Sequence, residues 1–168
     1  MLSGPTRVGE ADSCLAAFSG ATTVSYAWQA NGATIGKATS ASYKISASLF
    51  GKTLTCSVTA SNAAGSVSGT SSGAKVARGP ALVPVKKPVL FGPHLAGKAE
   101  GVTNGKWSPA AGKITYQWYV GKTRIAGATK STFSLPKKDI GKTVQCIVTA
   151  SATGYTNGRY VTPAVRIT

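Results

Sequence analysis

The feature that most constrains the fold is an internal repeat with a fixed offset of 90 residues. Residues 52–61, KTLTCSVTAS, are matched by residues 142–151, KTVQCIVTAS. The same offset relates Trp28 to Trp118, and apolar residues replace apolar residues throughout the matched region. An internal duplication of this length indicates two copies of one domain in tandem.

The stretch 78–88 between the two copies contains three prolines, which favour an extended and stiff chain. We therefore predict a first domain over residues 3–78, a proline-rich linker over residues 79–87, and a second domain over residues 88–168.

Both copies alternate apolar and polar residues with the period of a β-strand. In the second copy Ile114, Tyr116, Trp118 and Val120 fall on one face of a predicted strand. Glycine and proline punctuate the chain at short intervals, and no stretch shows helical periodicity with caps. Several short, evenly spaced strands predict an all-β fold of the sandwich or barrel type.

The first copy carries a cysteine on each side of its tryptophan. Cys14 precedes Trp28 by 14 residues, and Cys56 follows it by 28. This spacing is typical of an immunoglobulin-like (Ig-like) sandwich, in which a disulfide between the sheets packs on a buried tryptophan. We predict two tandem Ig-like β-sandwich domains with Trp28 and Trp118 in their cores. We also predict a Cys14–Cys56 disulfide in domain 1, with two buried free thiols as the alternative.

The second copy lacks the first of these cysteines. Alignment of the copies places Val102 or Thr103 at the position of Cys14, which leaves Cys146 without a partner. We predict that Cys146 is a buried and unreactive thiol, so domain 2 has no disulfide.

The small number of ionisable side chains argues against catalysis. The chain has one histidine, His94, and four acids, Glu10, Asp12, Glu100 and Asp139. A hydrolytic triad, a carboxylate pair or a zinc site needs several such groups together. We predict no catalytic residue, no metal site and no cofactor, with His94 on the surface. No apolar run approaches the ~20 residues of a membrane helix, so membrane insertion is not expected.

The net charge of +15 is distributed unequally, with +4 on residues 1–78 and +11 on residues 79–168. A strongly positive surface attracts polyanions. The candidate polyanion-binding residues are Lys122, Arg124, Lys130, Lys137, Lys138 and Lys142. The alternative is that these cations only protect sheet edges and keep the domain soluble. Arginine is scarce beside lysine and no recognition motif is present, so specific nucleic-acid binding is not expected.

The second copy resembles the Ig-like repeats of actinobacterial surface and secreted proteins. The resemblance rests on Trp118, Gly121 and Ile125, on Gly-Ala-Thr at 127–129, and on the run DIGKTVQCIVTAS at 139–151. Similar domains also decorate the tails and capsids of phages. The resemblance implies a non-catalytic spacer, stalk or adhesive module, and it transfers no functional residues to this chain.

Two settings follow from this resemblance, and both are extracellular. In the first, the chain is a virion surface component of an actinobacterial phage, which agrees with the lack of a secretion signal after Met1. In the second, it is an adhesive or spacer segment of a secreted cell-wall protein, which the predicted disulfide favours. The expected partners are a protein scaffold (a capsid, a tail or a larger parent protein) and anionic cell-surface polymers, within an assembly that can be oligomeric.

Overall fold

A computed structural model describes all residues, 1–168, and shows an all-β chain with Ig-like topology. The chain divides into two compact units, Met1–Pro80 and Ala81–Thr168. Each unit has two main antiparallel sheets, and the predicted fold class is confirmed.

The first unit contains a three-stranded and a five-stranded sheet. Its strands are β1 (Leu2–Ser3), β2 (Ala11–Cys14), β3 (Thr23–Ala30), β4 (Ala33–Thr34), β5 (Ser42–Lys44), β6 (Thr53–Asn62), β7 (Gly65–Thr70) and β8 (Ala74–Lys75). The sheet orders are β1-β2-β5 and β4-β3-β6-β7, and β8 also pairs with β6. A short 3₁₀ helix, Ala47–Leu49, precedes β6.

The second unit repeats this arrangement. After β9 (Gly79–Ala81), its strands are β10 (Val83–Lys86), β11 (Leu90–Phe91), β12 (Ala99–Val102), β13 (Lys106–Ser108), β14 (Lys113–Val120), β15 (Thr123–Arg124), β16 (Thr132–Ser134), β17 (Thr143–Ser151), β18 (Tyr155–Thr156), β19 (Gly158–Val161) and β20 (Val165–Arg166). The orders of its two main sheets are β11-β12-β16 and β15-β14-β17-β19, with β20 also on β17. Unlike the first unit, it has an additional two-stranded sheet formed by β10 and β13. A 3₁₀ helix, Lys137–Asp139, precedes β17.

A fully buried tryptophan lies at the centre of each core. Trp28 and Trp118 stand opposite Cys56 and Cys146 in the longest strand pairs of their units. Each indole N–H donates to a backbone carbonyl at 2.9 Å, so the rings are buried without an unpaired polar group. Burying roughly 200 Å² of ring surface stabilises each unit by about 5 kcal/mol.

The structure differs from the predicted linker over residues 79–87. Leu82 is buried in the core of the second unit, and β10 pairs with β13. From residue 82 to residue 85, Leu82 and Pro84 are the more buried residues and Val83 and Val85 are exposed, which is strand alternation. Proline lacks the N–H that a central strand needs, but it is tolerated in an edge strand.

A disulfide joins Cys14 of β2 to Cys56 of β6 and therefore links the two sheets of the first unit. Val102 takes the corresponding place in the second unit, because it stands opposite Leu90 as Cys14 stands opposite Leu2. Cys146 is consequently a free and fully buried thiol. Burial raises the pKa of Cys146 to about 11, and a backbone hydrogen bond at Gln117 acts in the opposite direction.

The variant Cys14→Val gives the first unit the arrangement found in the second. Removing a bridge that spans 42 residues is expected to lower the free energy of unfolding of this unit by roughly 4 kcal/mol, because the unfolded chain gains conformational freedom. Hydrogen exchange in urea, measured on peptides from each unit separately, checks this. Reductant should not destabilise the variant further, because the disulfide is already absent. An unchanged free energy of unfolding of the first unit would contradict the expectation.

The raised pKa of Cys146 predicts a pH-dependent stability of the second unit. The unfolded thiol loses its proton near pH 9 and the folded thiol near pH 11. Between these values the unfolded state binds fewer protons, so stability should fall as the pH rises through this window. Urea midpoints between about pH 8 and about pH 11 should fall less in Cys146→Val. Burial also raises the pKa of Tyr116, but this residue is present in the original chain and in Cys146→Val, so its contribution is common to both. Parallel curves of urea midpoint against pH for the two proteins would contradict the assignment to Cys146.

Candidate functional site

The candidate polyanion-binding residues are all exposed, but they do not form one group. Lys122 lies in the turn between β14 and β15, and Arg124 lies on β15 opposite Tyr119. Lys137 and Lys138 belong to the 3₁₀ helix, and Lys142 directly precedes β17. The structure therefore distributes them over several elements.

Four of these six residues meet at one end of the second unit. The Gly121 N–H donates to the Thr143 carbonyl at 2.7 Å, which brings the turn of Lys122 beside Lys142. The Lys142 N–H donates to the Asp139 carbonyl at 3.1 Å, which places the 3₁₀ helix with Lys137 and Lys138 at the same end.

Two further cations at this end were missed by the sequence analysis. Arg166 stands opposite Thr143 in the β17–β20 pair. The Lys98 carbonyl accepts a hydrogen bond from Leu135, two residues before the 3₁₀ helix. Both cations reach this end because backbone pairing joins segments that are far apart in the sequence. The distribution of charge along the sequence does not reveal such pairing. The cationic end consists of Lys98, Lys122, Lys137, Lys138, Lys142 and Arg166.

The remaining two candidates lie elsewhere on the second unit. Arg124 shares the outer face of its sheet with Tyr119, since Trp118 and Val120 point inward. Lys130 precedes β16, at the opposite end of that strand from the 3₁₀ helix, and its carbonyl accepts the Trp118 indole N–H.

Both acids of the second unit are buried, so among its exposed cations only Lys142 has a carboxylate partner. Glu100 is 0% and Asp139 is 5% exposed. Asp139 accepts a hydrogen bond from Lys142 Nζ at 2.7 Å, which compensates the charge of that one lysine. The exposed side chains of residues 81–168 include 13 cations and no carboxylate. This unit therefore presents an unbalanced positive field.

A buried acid, Asp12 or Glu100, occupies the same place in each unit. The sequence prediction did not identify this equivalence. The run Gly-Pro-Thr at 4–6 precedes Asp12 by the same spacing as Gly-Pro-His at 92–94 precedes Glu100. The offset between these motifs is 88 residues, not 90, and the motif is visible in the sequence once this shift is allowed.

The two acids are held by different partners. Asp12 accepts hydrogen bonds from the Thr6 backbone N–H at 2.9 Å and from the Thr6 hydroxyl at 2.5 Å. In the second unit, Nδ1 of His94 lies 2.9 Å from Oε2 of Glu100. His94 was expected to be a surface residue, but only part of its ring is exposed because Nδ1 is buried against this carboxylate.

Each buried carboxylate requires a glycine beside it. Gly92 has a φ of +142°, and a Cβ at this position would lie 2.8 Å from Oε2 of Glu100. Gly4 stands in the same relation to Asp12. We conclude that these acids fix the turn at the start of each unit.

The structure places no three His, Cys, Asp or Glu side chains together in a way that would hold a metal ion. None of its helices has the length and apolar character needed to cross a membrane.

No protein-family model matches the chain. Over 77 residues, or 45% of its length, the chain is 34% identical to the highly immunogenic outer capsid protein of Enterobacteria phage T4. The match spans 18% of the T4 protein, so this chain corresponds to a small part of that relative.

Solved structures similar to the chain include an amphioxus IgVJ-C2 molecule and three N-terminal domains of the Hoc outer capsid protein of bacteriophage RB49. The amphioxus molecule is 18% identical, with a TM-score of 0.45, over 96% of this chain and 98% of that one. The RB49 domains are 12% identical, with a TM-score of 0.36, over 93% of this chain and 55% of that one. The sheet order, the disulfide and the buried tryptophans in themselves establish an Ig-like fold, and the chain shares sequence similarity with a phage outer capsid protein.

Proposed function

We propose that the chain is a non-catalytic Ig-like module displayed on the capsid or tail of an actinobacterial phage, where its cationic end binds anionic polymers of the host surface. The similarity to a phage outer capsid protein supports the virion setting. The resemblance to actinobacterial Ig-like repeats supports an actinobacterium as the host. The excess of 13 exposed cations over two buried acids supports the polymer-binding part, because it gives the second unit a positive surface.

Binding of this kind needs no pocket. A polymer with repeating phosphate or carboxylate groups releases counterions as lysines approach it, and the free energy comes from the sum of many contacts. Lysine suits such a partner because its ammonium is a mobile point charge that does not require bidentate geometry. Each molecule binds weakly, and display of many copies on one particle raises the avidity.

A specific observation favours a second candidate, a segment of a secreted cell-wall protein. The Cys14–Cys56 disulfide forms in oxidising surroundings, which a secreted protein meets directly. A virion protein meets them after lysis, so the disulfide agrees with the first candidate as well.

Replacing Lys98, Lys122, Lys137 and Lys138 by glutamine should weaken binding of the full chain to poly(glycerol phosphate). The slope of log K against log salt should decrease in magnitude by roughly 3, because four phosphate contacts each contribute about 0.7–0.9. Lys142 is kept because it compensates the buried Asp139. Titration calorimetry between about 50 and about 200 mM salt gives both quantities.

The matched control is the replacement of Lys86, Lys87, Lys106 and Lys113 by glutamine. This variant has the same net charge, but its substitutions lie on or beside β10, β13 and the start of β14. It should keep most of the affinity and slope. Equal losses in both variants would show a general charge effect and overturn the localised site, as would tighter binding to duplex DNA than to poly(glycerol phosphate).

The two settings differ in where the chain is found in a culture that produces it. An antibody against the full chain should label released phage particles in immunogold electron microscopy. Labelling of the envelopes of uninfected cells, with unlabelled particles, would overturn the virion assignment and support the cell-wall protein.

A further inference from the structure

All three arginines of the second unit lie on one surface, the outer face of its five-stranded sheet. Trp118 of β14 and Cys146 of β17 point into the core, so the residues next to them in sequence point outward. Each arginine stands opposite an outward-pointing residue of β14 or β17. The three pairs are Arg124 with Tyr119, Arg159 with Thr149, and Arg166 with Thr143.

The ten lysines of this unit are distributed differently. Only Lys113 points outward from the same sheet, at the far end of β14 opposite Ser151. The other nine lie in turns, in the 3₁₀ helix, directly beside strands, or in the sheet of β10 and β13. A guanidinium group donates two parallel hydrogen bonds to a carboxylate, whereas an ammonium group acts as a point charge. The outer face of this sheet is therefore suited to an anion with planar, forked acceptors.

The first unit shows that the fold does not require these side chains. Inward positions of the matching sheets carry the same residue types, as Trp28 and Trp118 do. Outward positions differ, because the first unit has uncharged polar residues where the second has arginine, tyrosine or isoleucine. The differing pairs are Gln29 and Tyr119, Thr34 and Arg124, Ser57 and Ile147, and Ser68 and Arg159. Of the three arginines, only Arg166 has a charged counterpart, Lys75.

The three arginines are exposed and have no carboxylate partner within the chain. The carboxylates of the second unit lie elsewhere, with Glu100 beside His94 and Asp139 beside Lys142. The hydrogen-bonding groups of these arginines are therefore available to a partner.

Arg124, Tyr119 and Gln145 form a row across three strands. Arg124 stands opposite Tyr119, and Tyr119 stands opposite Gln145. Side chains that are directly opposed lie about 5 Å apart, so a guanidinium group, an aromatic ring and an amide are neighbours. The C–H face of a sugar ring packs on an aromatic ring, and an amide exchanges hydrogen bonds with hydroxyl groups. This row therefore combines the groups that recognise a sugar bearing a carboxylate.

The other two arginines extend the surface beyond this row. From the strand spacing of about 4.8 Å and the rise of about 3.3 Å per residue, the three arginines lie roughly 15–20 Å apart. Such distances exceed the size of a small anion and suit a polymer with several carboxylates. Arg166 is also part of the cationic end, so the two surfaces meet at this residue.

Other occupants match this face less well. Its central apolar residue, Ile147, is only 9% exposed, and the neighbouring Val161 is 38% exposed. Little apolar surface remains for the centre of an interface with a folded protein. A second copy would bring arginines against arginines, and this repulsion opposes self-association through the face.

We infer that this outer face, the arginine face (Tyr119, Arg124, Gln145, Thr149, Arg159 and Arg166), binds an acidic polysaccharide whose sugar rings carry carboxylates. Arg124 and Arg159 bind carboxylates in bidentate fashion, Tyr119 packs on a sugar ring, and Gln145 bonds to hydroxyl groups. The inference does not depend on polymer binding at the cationic end, because both the surface and the class of anion differ.

The probe is polygalacturonate, titrated into the full chain by calorimetry at about 100 mM salt. The double variant Arg124→Lys with Arg159→Lys keeps the net charge but removes the bidentate groups. It should bind polygalacturonate about fivefold or more weakly, and its affinity for poly(glycerol phosphate) should change less than about twofold. Equal losses for both polymers would show a general charge effect and overturn the inference. The absence of polygalacturonate binding at about 1 mM galacturonate would overturn it as well.

The variant Tyr119→Gln tests recognition of the sugar ring, and it introduces the residue that the first unit has at this position. Affinity for polygalacturonate should fall about fivefold or more, whereas affinity for poly-L-glutamate should change less than about twofold. The matched control, Gln29→Ala, alters the equivalent position of the first unit and should leave both affinities unchanged. Tighter binding to poly-L-glutamate than to polygalacturonate would overturn the inference and indicate an acidic protein as the partner.

The two polymers also separate this inference from the function proposed above. Binding of polygalacturonate without binding of poly(glycerol phosphate) would contradict the role of the cationic end and support the arginine face. Binding of poly(glycerol phosphate) alone would support the cationic end and overturn the arginine face.

Discussion

The stability of each unit depends on closing two short sheets over a small core. A domain of about 80 residues buries little surface, so each uncovered apolar side chain is a substantial loss. The two units meet this constraint differently. The first joins its sheets covalently through Cys14 and Cys56. The second has Val102 instead and covers its core with Leu82 and Trp107. Burial of a leucine and a tryptophan stabilises by several kcal/mol, which is comparable to the roughly 4 kcal/mol of the bridge.

The buried acids have a structural role and an electrostatic consequence. Asp12 and Glu100 tie the first turn of each unit to the strand that follows it, and the glycine beside each acid leaves room for the carboxylate. In the second unit Asp139 is buried as well, against Lys142. Burial of both carboxylates removes every acidic side chain from a surface that keeps 13 cations. The strong positive field of this unit thus follows mainly from its 13 cations against two acids, and the burial of these acids keeps carboxylates away from the surface.

Local patterns and the repeat were sufficient to predict the fold, because strand alternation and cysteine spacing can be read directly from the sequence. They limited the counterpart of Cys14 to Val102 or Thr103, and the strand register identifies it as Val102. The strand β10 could not be recognised, since Pro84 within it and the prolines on either side are equally typical of a linker, and only the pairing with β13 identifies it. The contact of His94 with Glu100 was missed because a two-residue shift hides that part of the repeat at an offset of 90. Lys98 and Arg166 reach the cationic end through pairing that joins distant segments, which no local pattern contains.

Polymer binding at the cationic end, as proposed, draws its free energy from counterion release, which salt weakens steeply. The stability of the two units rests instead on apolar burial and, in the first unit, on a covalent bridge, which salt affects little. We therefore expect a rise in ionic strength to weaken polymer binding while both units stay folded, so that loss of binding at high salt reports on the interaction and not on unfolding.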